Sequence, residues 1–299
     1  MTLPENKRFE QLLGKKSFLV TMEVNPPKGT DLSEVLKAVE SVKSLVDAVN
    51  VTDGSGAIMR ACSLAVAKAV LDAGVDPILQ MTCRDRNRLA LQADLLGASI
   101  FGIRNILLLT GDDPKAGDHP ETKPVFDLKS SELMQVAKGL TEGKDMAGKE
   151  LVGVPRFCIG AAADPGAKDL DVEMQKFQAK ISGGAEFFQT QAVFDPAALG
   201  KFMERARPSG KPVLAGILLV KSAKMARYMN EHVWGIHVPE EIIARFENAS
   251  DKRAECVAVA VELIRAVRES ANGIHLYGLG WEDLIPDILK EAKLETARK

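Results

Sequence analysis

The sequence has only four cysteines, Cys62, Cys83, Cys158 and Cys256, widely separated and without a CxxC pair. Neither a disulfide framework nor a cysteine-bound zinc is indicated, and a reducing cytoplasm is the expected compartment. Long apolar runs are missing too, and the opening stretch MTLPENKRFEQLLGKK is polar and charged. No membrane segment and no signal peptide are therefore expected. Positive charge is not in excess: the formal net charge is −2 and no basic run forms a patch, which argues against a nucleic-acid partner. The histidines His119, His232, His237 and His275 show no ligand spacing, so no metal is expected. No GxGxxG follows the first strand-like run, which weakens a dinucleotide-binding sheet.

What remains is an ordinary globular composition, 46% apolar and 27% charged, able to bury a sizeable core. A length of 299 residues suggests two domains, but α/β barrels are the standing exception. Runs rich in Val, Ile, Leu and Phe recur at 17–22, 48–52, 77–81, 105–110, 156–161, 186–190, 212–218 and 273–277. Most are continuous rather than alternating, as parallel strands covered on both faces should be. Helical stripes lie between them. Leu32, Val35, Val39, Val42 and Val46 share one face behind a Thr30 or Asp31 cap, and 61–73, 88–96, 130–140, 170–181 and 196–206 follow suit. Gly74, Gly97 and Gly183 with Gly184 are placed to close three of these helices. Residues 141–150 read as a polar loop, 251–270 as an extra helix, and a short helix precedes the first strand. Eight βα units predict a single-domain (β/α)₈ TIM barrel over 1–299, with an open doubly wound sheet as the alternative. No further internal repeat and no linker interrupt it.

In such barrels the site forms where strands end. The residues there are Glu23; Thr52, Asp53 and Gly54; Gln80 to Thr82; Thr110 to Pro114; Asp164; Thr190 and Gln191; and His275 with Tyr277. The set is polar, acidic and amide-rich. It holds no cationic cluster and no Ser or Cys nucleophile paired with His, so proton transfer and cofactor orientation are the chemistries it supports. Glu23 stands out: it ends an apolar strand and is followed by Asn25-Pro26-Pro27, which stop the ladder and preclude a helix cap. A carboxylate there costs burial energy unless it is used. Asp112 follows Gly111, where a ligand can approach the backbone closely. Asp53, Asp113 and Asp164 read equally well as turn formers or helix caps, and Gln80 as a rim amide.

Taken in order, TMEVNPP, VNVTDG, MTC, LLLTGDDP, Lys180 with Gly183-Gly184-Ala185, TQAVFD and GIL resemble the methylenetetrahydrofolate reductases along nearly the whole chain. The resemblance implies a flavin-binding barrel of one-carbon metabolism, on the route to methionine, that reduces 5,10-methylenetetrahydrofolate to 5-methyltetrahydrofolate. It implies FAD as cofactor and NADH as donor in the simple bacterial form. The substrate ring must open by protonation at N10, and reduced flavin N5 then passes a hydride to the exposed methylene. Glu23 matches the family's acid, held protonated by a dry site. Asp112 matches an aspartate near flavin and pterin that stabilises the cationic iminium. Gln191 matches a folate contact. Thr52, Leu109, Thr110, Gly111 and Lys180 match positions that hold the flavin and its phosphates, with Lys180 as the cation. Glu173 matches an acid for ribose hydroxyls.

The chain also departs from the better-known members. Gln80 and Asp164 stand where those carry histidines, each as a flavin-side position, and Ala223 replaces an aromatic ring that stacks on nicotinamide and folate. MTCRDRNR and KSAKMARYMN resemble a subgroup of acetogen enzymes and methyltransferase-fused modules, some of which receive electrons through a partner protein. FMN instead of FAD, NADPH instead of NADH, or a protein donor follow as alternatives. So does a folate-binding subunit in methyl transfer that is partner-dependent or redox-inactive. A homo-oligomer is expected. Met225, Tyr228 and Met229 mark an exposed helical face, and roles for His275 and Tyr277 at the last strand stay open.

Overall fold

A computed structural model describes residues 3–233 and 235–294. Eight parallel strands close on themselves: β1 (Leu19–Val24), β2 (Ala48–Val51), β3 (Pro77–Thr82), β4 (Asn105–Leu109), β5 (Cys158–Ala163), β6 (Phe187–Ala192), β7 (Val213–Leu218) and β8 (Gly273–Tyr277). Pairing of Leu19 with Gly273 and of Thr21 with His275 seals the ring. The closed barrel removes the open-sheet alternative.

The helices are α1 (Phe9–Leu12), α2 (Ser33–Val42), α3 (Ser63–Asp72), α4 (Arg88–Ile100), α5 (Ser130–Thr141), α6 (Leu170–Ser182), α7 (Pro196–Ala206), α8 (Ala223–His232), α9 (Glu240–Asn248), α10 (Lys252–Val267) and α11 (Ile285–Glu291). Asn87, Asp169, Asp195 and Asp251 each accept backbone N–H bonds at a helix start, which satisfies donors that have no intrahelical partner. Two turn expectations need correcting. Gly97 does not end a helix: it lies inside α4, where a Cβ would stand 3.5 Å from Leu64, and the left-handed residue beyond α4 is Gly102 at φ +81°. Asp31 accepts from Ser33 N at 2.9 Å but sits one residue outside the cap position, which Leu32 takes.

Successive strand residues alternate between two environments. Val20, Met22, Val24, Val49, Val51, Leu79, Met81, Ile106 and Leu108 face outward into the large core shared with the helices. Leu19, Ala48, Ile78, Leu107, Cys158, Phe187 and Leu214 face inward and form a separate apolar layer at the strands' N-terminal end. Phe9 of α1 plugs that end, its ring edge-on to Phe187 with centroids 5.1 Å apart. Behind the plug Asp76 accepts from Arg8 Nη1 at 2.9 Å, from Phe9 N at 2.8 Å and from Asn105 Nδ2 at 2.7 Å. Burial pushes the Asp76 carboxyl up, against the pull of these donors. No described helix is long and apolar enough to cross a membrane.

Candidate active site

The inward period of two carries polar residues once the apolar layer is passed. Above Leu19 come Thr21 and Glu23, above Ala48 comes Asn50, above Phe187 come Gln189 and Gln191, and above Gly273 come His275 and Tyr277. Thr21, Asn50, Gln189 and His275 are all 2% exposed or less, so their polar atoms must pair with one another. Asn50 Nδ2 donates to Gln189 Oε1 at 2.7 Å, and Gln189 Nε2 returns a bond to Asn50 Oδ1 at 3.1 Å. Gln189 Nε2 also lies 3.1 Å from Thr21 Oγ1 and 3.3 Å from His275 Nδ1. The Thr21 hydroxyl is 2.9 Å from the same Nδ1. On the far side of the imidazole, His275 Nε2 stands 3.6 Å from Glu23 Oε2.

Glu23 is thus the fifth residue of a strand that runs to Val24, not a residue beyond its end. It is 7% exposed at the top of the polar column. Tyr277 flanks it, its ring edge-on to His275 at 4.6 Å and its hydroxyl donating to Thr190 O at 2.7 Å. Burial and then the Glu23 charge push the Tyr277 phenol far up, so it stays a donor.

The other strand-end residues surround this column. Beside β1, Thr52 Oγ1 donates to Asn25 Oδ1 at 2.8 Å. Gln80 is buried on the inward face of β3, in phase with Ile78. After β4, Gly111 adopts φ +93°, and a Cβ there would stand 3.0 Å from Thr82 and Arg84 Cβ atoms. Only glycine passes that gap without strain, and it leaves Leu109 half-buried with Thr110 and Asp112 exposed on the rim. Thr110 Oγ1 lies 3.2 Å from Ser130 Oγ, and Asp112 Oδ2 accepts from Gly56 N at 2.8 Å. After β5, buried Asp164 accepts from Gly166 N at 3.0 Å, and Glu173 Oε1 accepts from Asp164 N at 3.0 Å. Burial, with the Glu173 charge, pushes Asp164 up. Lys180 Nζ donates to Ala162 O at 2.6 Å, and burial pulls its ammonium down. Gly235 packs over this side, where a Cβ would stand 3.2 Å from Gln191 and 3.5 Å from Asp164 Oδ2.

Asp53 belongs to the scaffold. It accepts from Arg86 at 2.8 and 3.1 Å, from Thr82 N at 2.8 Å and from Ser63 Oγ at 3.2 Å. Burial would raise its carboxyl, but these donors win and hold it below the usual range. Asp113 caps the turn Pro114–Ala116. A cleft of about 330 Å³ between the β2, β3 and β4 loops is lined by Asp53, Arg60, Arg84, Arg86 and His119. It shares no residue with the Glu23 column.

A sequence model of methylenetetrahydrofolate reductase matches residues 8–293, all eight strands included. The chain belongs to the methylenetetrahydrofolate reductase family. Among its relatives are the 5,10-methylenetetrahydrofolate reductase of Pectobacterium carotovorum subsp. carotovorum, 24% identical over 93% of this chain and 91% of that protein, and the probable NADPH-type enzyme of Caenorhabditis elegans, 25% identical over 97% of this chain. The chain spans about half the length of its nematode and fission-yeast relatives, 44% and 47% respectively. In fold it matches a Clostridium thermocellum protein described as binding two copies of 5-methyl-5,6,7,8-tetrahydrofolic acid, with TM-score 0.65, 16% identity, and 96% and 98% of the two chains covered.

For this reductase-family barrel the sequence expectations omitted Thr21, Asn50 and Gln189. The signal was present as polar pairs two residues apart, Thr21 with Glu23, Asn50 with Thr52, Gln189 with Gln191 and His275 with Tyr277. Two residues is the repeat that puts both side chains on one face of a strand.

Proposed function

We propose that this barrel reduces 5,10-methylenetetrahydrofolate to 5-methyltetrahydrofolate with a bound flavin, FAD or alternatively FMN. The observation that carries the reading is Glu23, a buried carboxyl group at the top of a polar interior column in a chain matched to the reductase family from residue 8 to 293. The fold neighbour that binds 5-methyltetrahydrofolate supports a reduced folate as ligand.

The rim from β3 to β6 fits a flavin. Lys180 is a desolvated ammonium whose hydrogen bond goes to a neutral carbonyl, and it pairs with no carboxylate among the described residues. That leaves N–H donors for a phosphate. Gly111 lets the chain pass closely between Thr82 and Arg84 and brings Thr110 and Asp112 to the rim. Gln80, Leu109 and Asp164, with Thr52 from the end of β2, are the other positions this reading assigns to the flavin. Glu173 is committed to the Asp164 backbone and reaches a ribose hydroxyl only with its second oxygen, which stands 3.6 Å from Lys176 Nζ. The flavin, when bound and reduced, supplies the hydride.

The protein's own part is protonic and electrostatic. Glu23 gives its proton to folate N10, the C–N10 bond breaks, and a cationic N5 iminium is left. Asp112 places a negative charge on the rim that favours this cation. Gln191 orients the folate. As donor, NADH, NADPH and an electron-carrying protein remain three forms of the proposal, because α8 begins at Ala223 with no ring to stack on a nicotinamide. A homo-oligomer in the cytoplasm completes it.

A visible spectrum of the purified chain tests the reading. A flavin spectrum bleached anaerobically by NADH, NADPH or dithionite and restored by 5,10-methylenetetrahydrofolate is the expected result. Bleaching by dithionite alone would assign the electrons to a partner protein. No flavin after reconstitution with FAD or FMN, or reduced flavin that the folate leaves untouched, would overturn it and leave a redox-inactive folate-binding subunit.

A further inference from the structure

The interior column explains how a buried imidazole can lie beside a carboxyl group that has to give up a proton. A histidine charged on both nitrogens and 3.6 Å from Glu23 would hold that group as a carboxylate. The hydrogen bonds on its other nitrogen argue against that state. Gln189 Nε2 has two protons. One goes to Asn50 Oδ1 at 3.1 Å, in an amide pair whose return bond from Asn50 Nδ2 to Gln189 Oε1 is 2.7 Å. The second points between Thr21 Oγ1 and His275 Nδ1, at 3.1 and 3.3 Å. The Thr21 hydroxyl has two acceptors within reach, Nδ1 at 2.9 Å and Ile274 O at 3.3 Å, of which Nδ1 is the nearer. With the Gln189 amide and the nearer hydroxyl contact both directed at it, Nδ1 is best served as an acceptor, which places the ring's single proton on Nε2, facing Glu23.

We propose that His275 is a positioning residue for Glu23, held in the neutral Nε2–H form by Gln189, Thr21 and Asn50. The inference rests on the reading of Glu23 as the proton donor. The Nε2–H faces Oε2 across 3.6 Å, a polar contact longer than a hydrogen bond, and leaves the other carboxyl oxygen to carry the proton toward the barrel mouth. Among the described residues, no other charged side chain lies on an inward strand position at this level. Tyr277 on β8 is the other titratable group, held as a phenol, and the inward residues of β2, β3, β4, β5, β6 and β7 are Asn50, Gln80, Leu109, Ala162, Gln189 and Gly216.

Two measurements test this. The first is ¹⁵N spectroscopy of histidine-labelled protein, with the His275 signal assigned by its loss in His275→Asn. It should show an unprotonated Nδ1 and a protonated Nε2 at neutral pH. An imidazolium or the Nδ1–H form would overturn the proposal whatever the enzyme turns over.

The second is the rate at which methylenetetrahydrofolate reoxidises the dithionite-reduced enzyme, followed against pH. Gln189→Glu replaces a donor to Nδ1 by an acceptor of the same shape and so favours the imidazolium. The alkaline limb of the rate profile should then move to lower pH by about one unit or more, with activity recovered on acidification. The double variant with His275→Asn should lose that shift. An alkaline limb that stays in place in Gln189→Glu, or one that still moves in the double variant, would overturn the proposal. Glu23→Gln is the separate arm: near wild-type reoxidation there would remove the proton-donor reading itself, whereas its loss together with an unmoved Gln189→Glu profile would remove only the role of His275.

Discussion

The two ends of the barrel interior are built from the same eight strands to opposite specifications. The N-terminal end is apolar and stoppered, with Phe9 on Phe187 and a layer of Leu19, Ile78, Leu107 and Leu214. The charged pair behind the stopper, Arg8 with Asp76, is tied to backbone and to Asn105. Two residues farther along β1, β2, β3 and β6 the layer turns polar, with His275 joining from β8, and two farther again on β1 it presents Glu23. The first layer secures the ring, whereas the later ones burden it with desolvated polar groups that are tolerable only because they pair with one another. Stability and chemistry are thus separated by distance along the strand, so substitutions at the two ends should fail in different ways.

The largest effect is expected at the mouth. Glu23→Gln should lower folate reduction by about 10²–10⁴-fold while flavin binding, flavin reduction and the thermal midpoint stay near wild type. A comparable loss of stability would erase the distinction between the ends. At the stopper, Phe9→Ala should cost about 3–5 kcal/mol in urea unfolding, with the protein that remains folded still taking up flavin. Asp112→Asn should act on redox alone. Removal of a rim charge should raise the flavin midpoint potential and slow methylene reduction by less than the Glu23 change does. An unaltered potential and rate would sink the role given to Asp112.

The smallest effect is chemical. Burial raises the thiol of Cys83 to about 11 and that of Cys256 to about 12, and pushes Cys158, inside the apolar layer, well above the usual range. Because these shifts are upward, the reactive thiolates are scarce until the pH rises through those values. Near pH 8 a disulfide reagent should therefore titrate one fast thiol, the exposed Cys62, and reach all four only after denaturation. Fast reaction of Cys158 would mean that the stopper opens.

The fold was legible because parallel strands covered on both faces read as continuous apolar runs, and all eight fall within two residues of their observed bounds. The bounds err in one direction on three strands: β1, β5 and β6 extend two residues past the runs that marked them, and on β1 and β6 these include polar inward residues, so Glu23 and Gln191 lie within strands. Glu23 stood out because Pro26 and Pro27 removed its capping role. Asn50 and Gln189 did not, since a lone amide in an apolar run does not reveal which partner satisfies it. That information lies in contacts between residues as far apart as 139 positions. Asp53 and Asp164 were ambiguous for a like reason: only the guanidinium of Arg86 beside one, and its absence from the other, separates them.

The seam of the ring has a consequence for biosynthesis. Thr21 meets His275 across 254 positions, and β1 pairs on that side with β8 alone. During synthesis the first strand waits with an open edge until the last has emerged, a long-range closure of the kind that slows folding and exposes nascent chains to misassociation. The pairing that completes the ring also brings the His275 imidazole beside Glu23. A chain interrupted before β8 would therefore lack both its closure and that neighbour, so the top of the interior column is assembled in the same event that makes the barrel topologically whole.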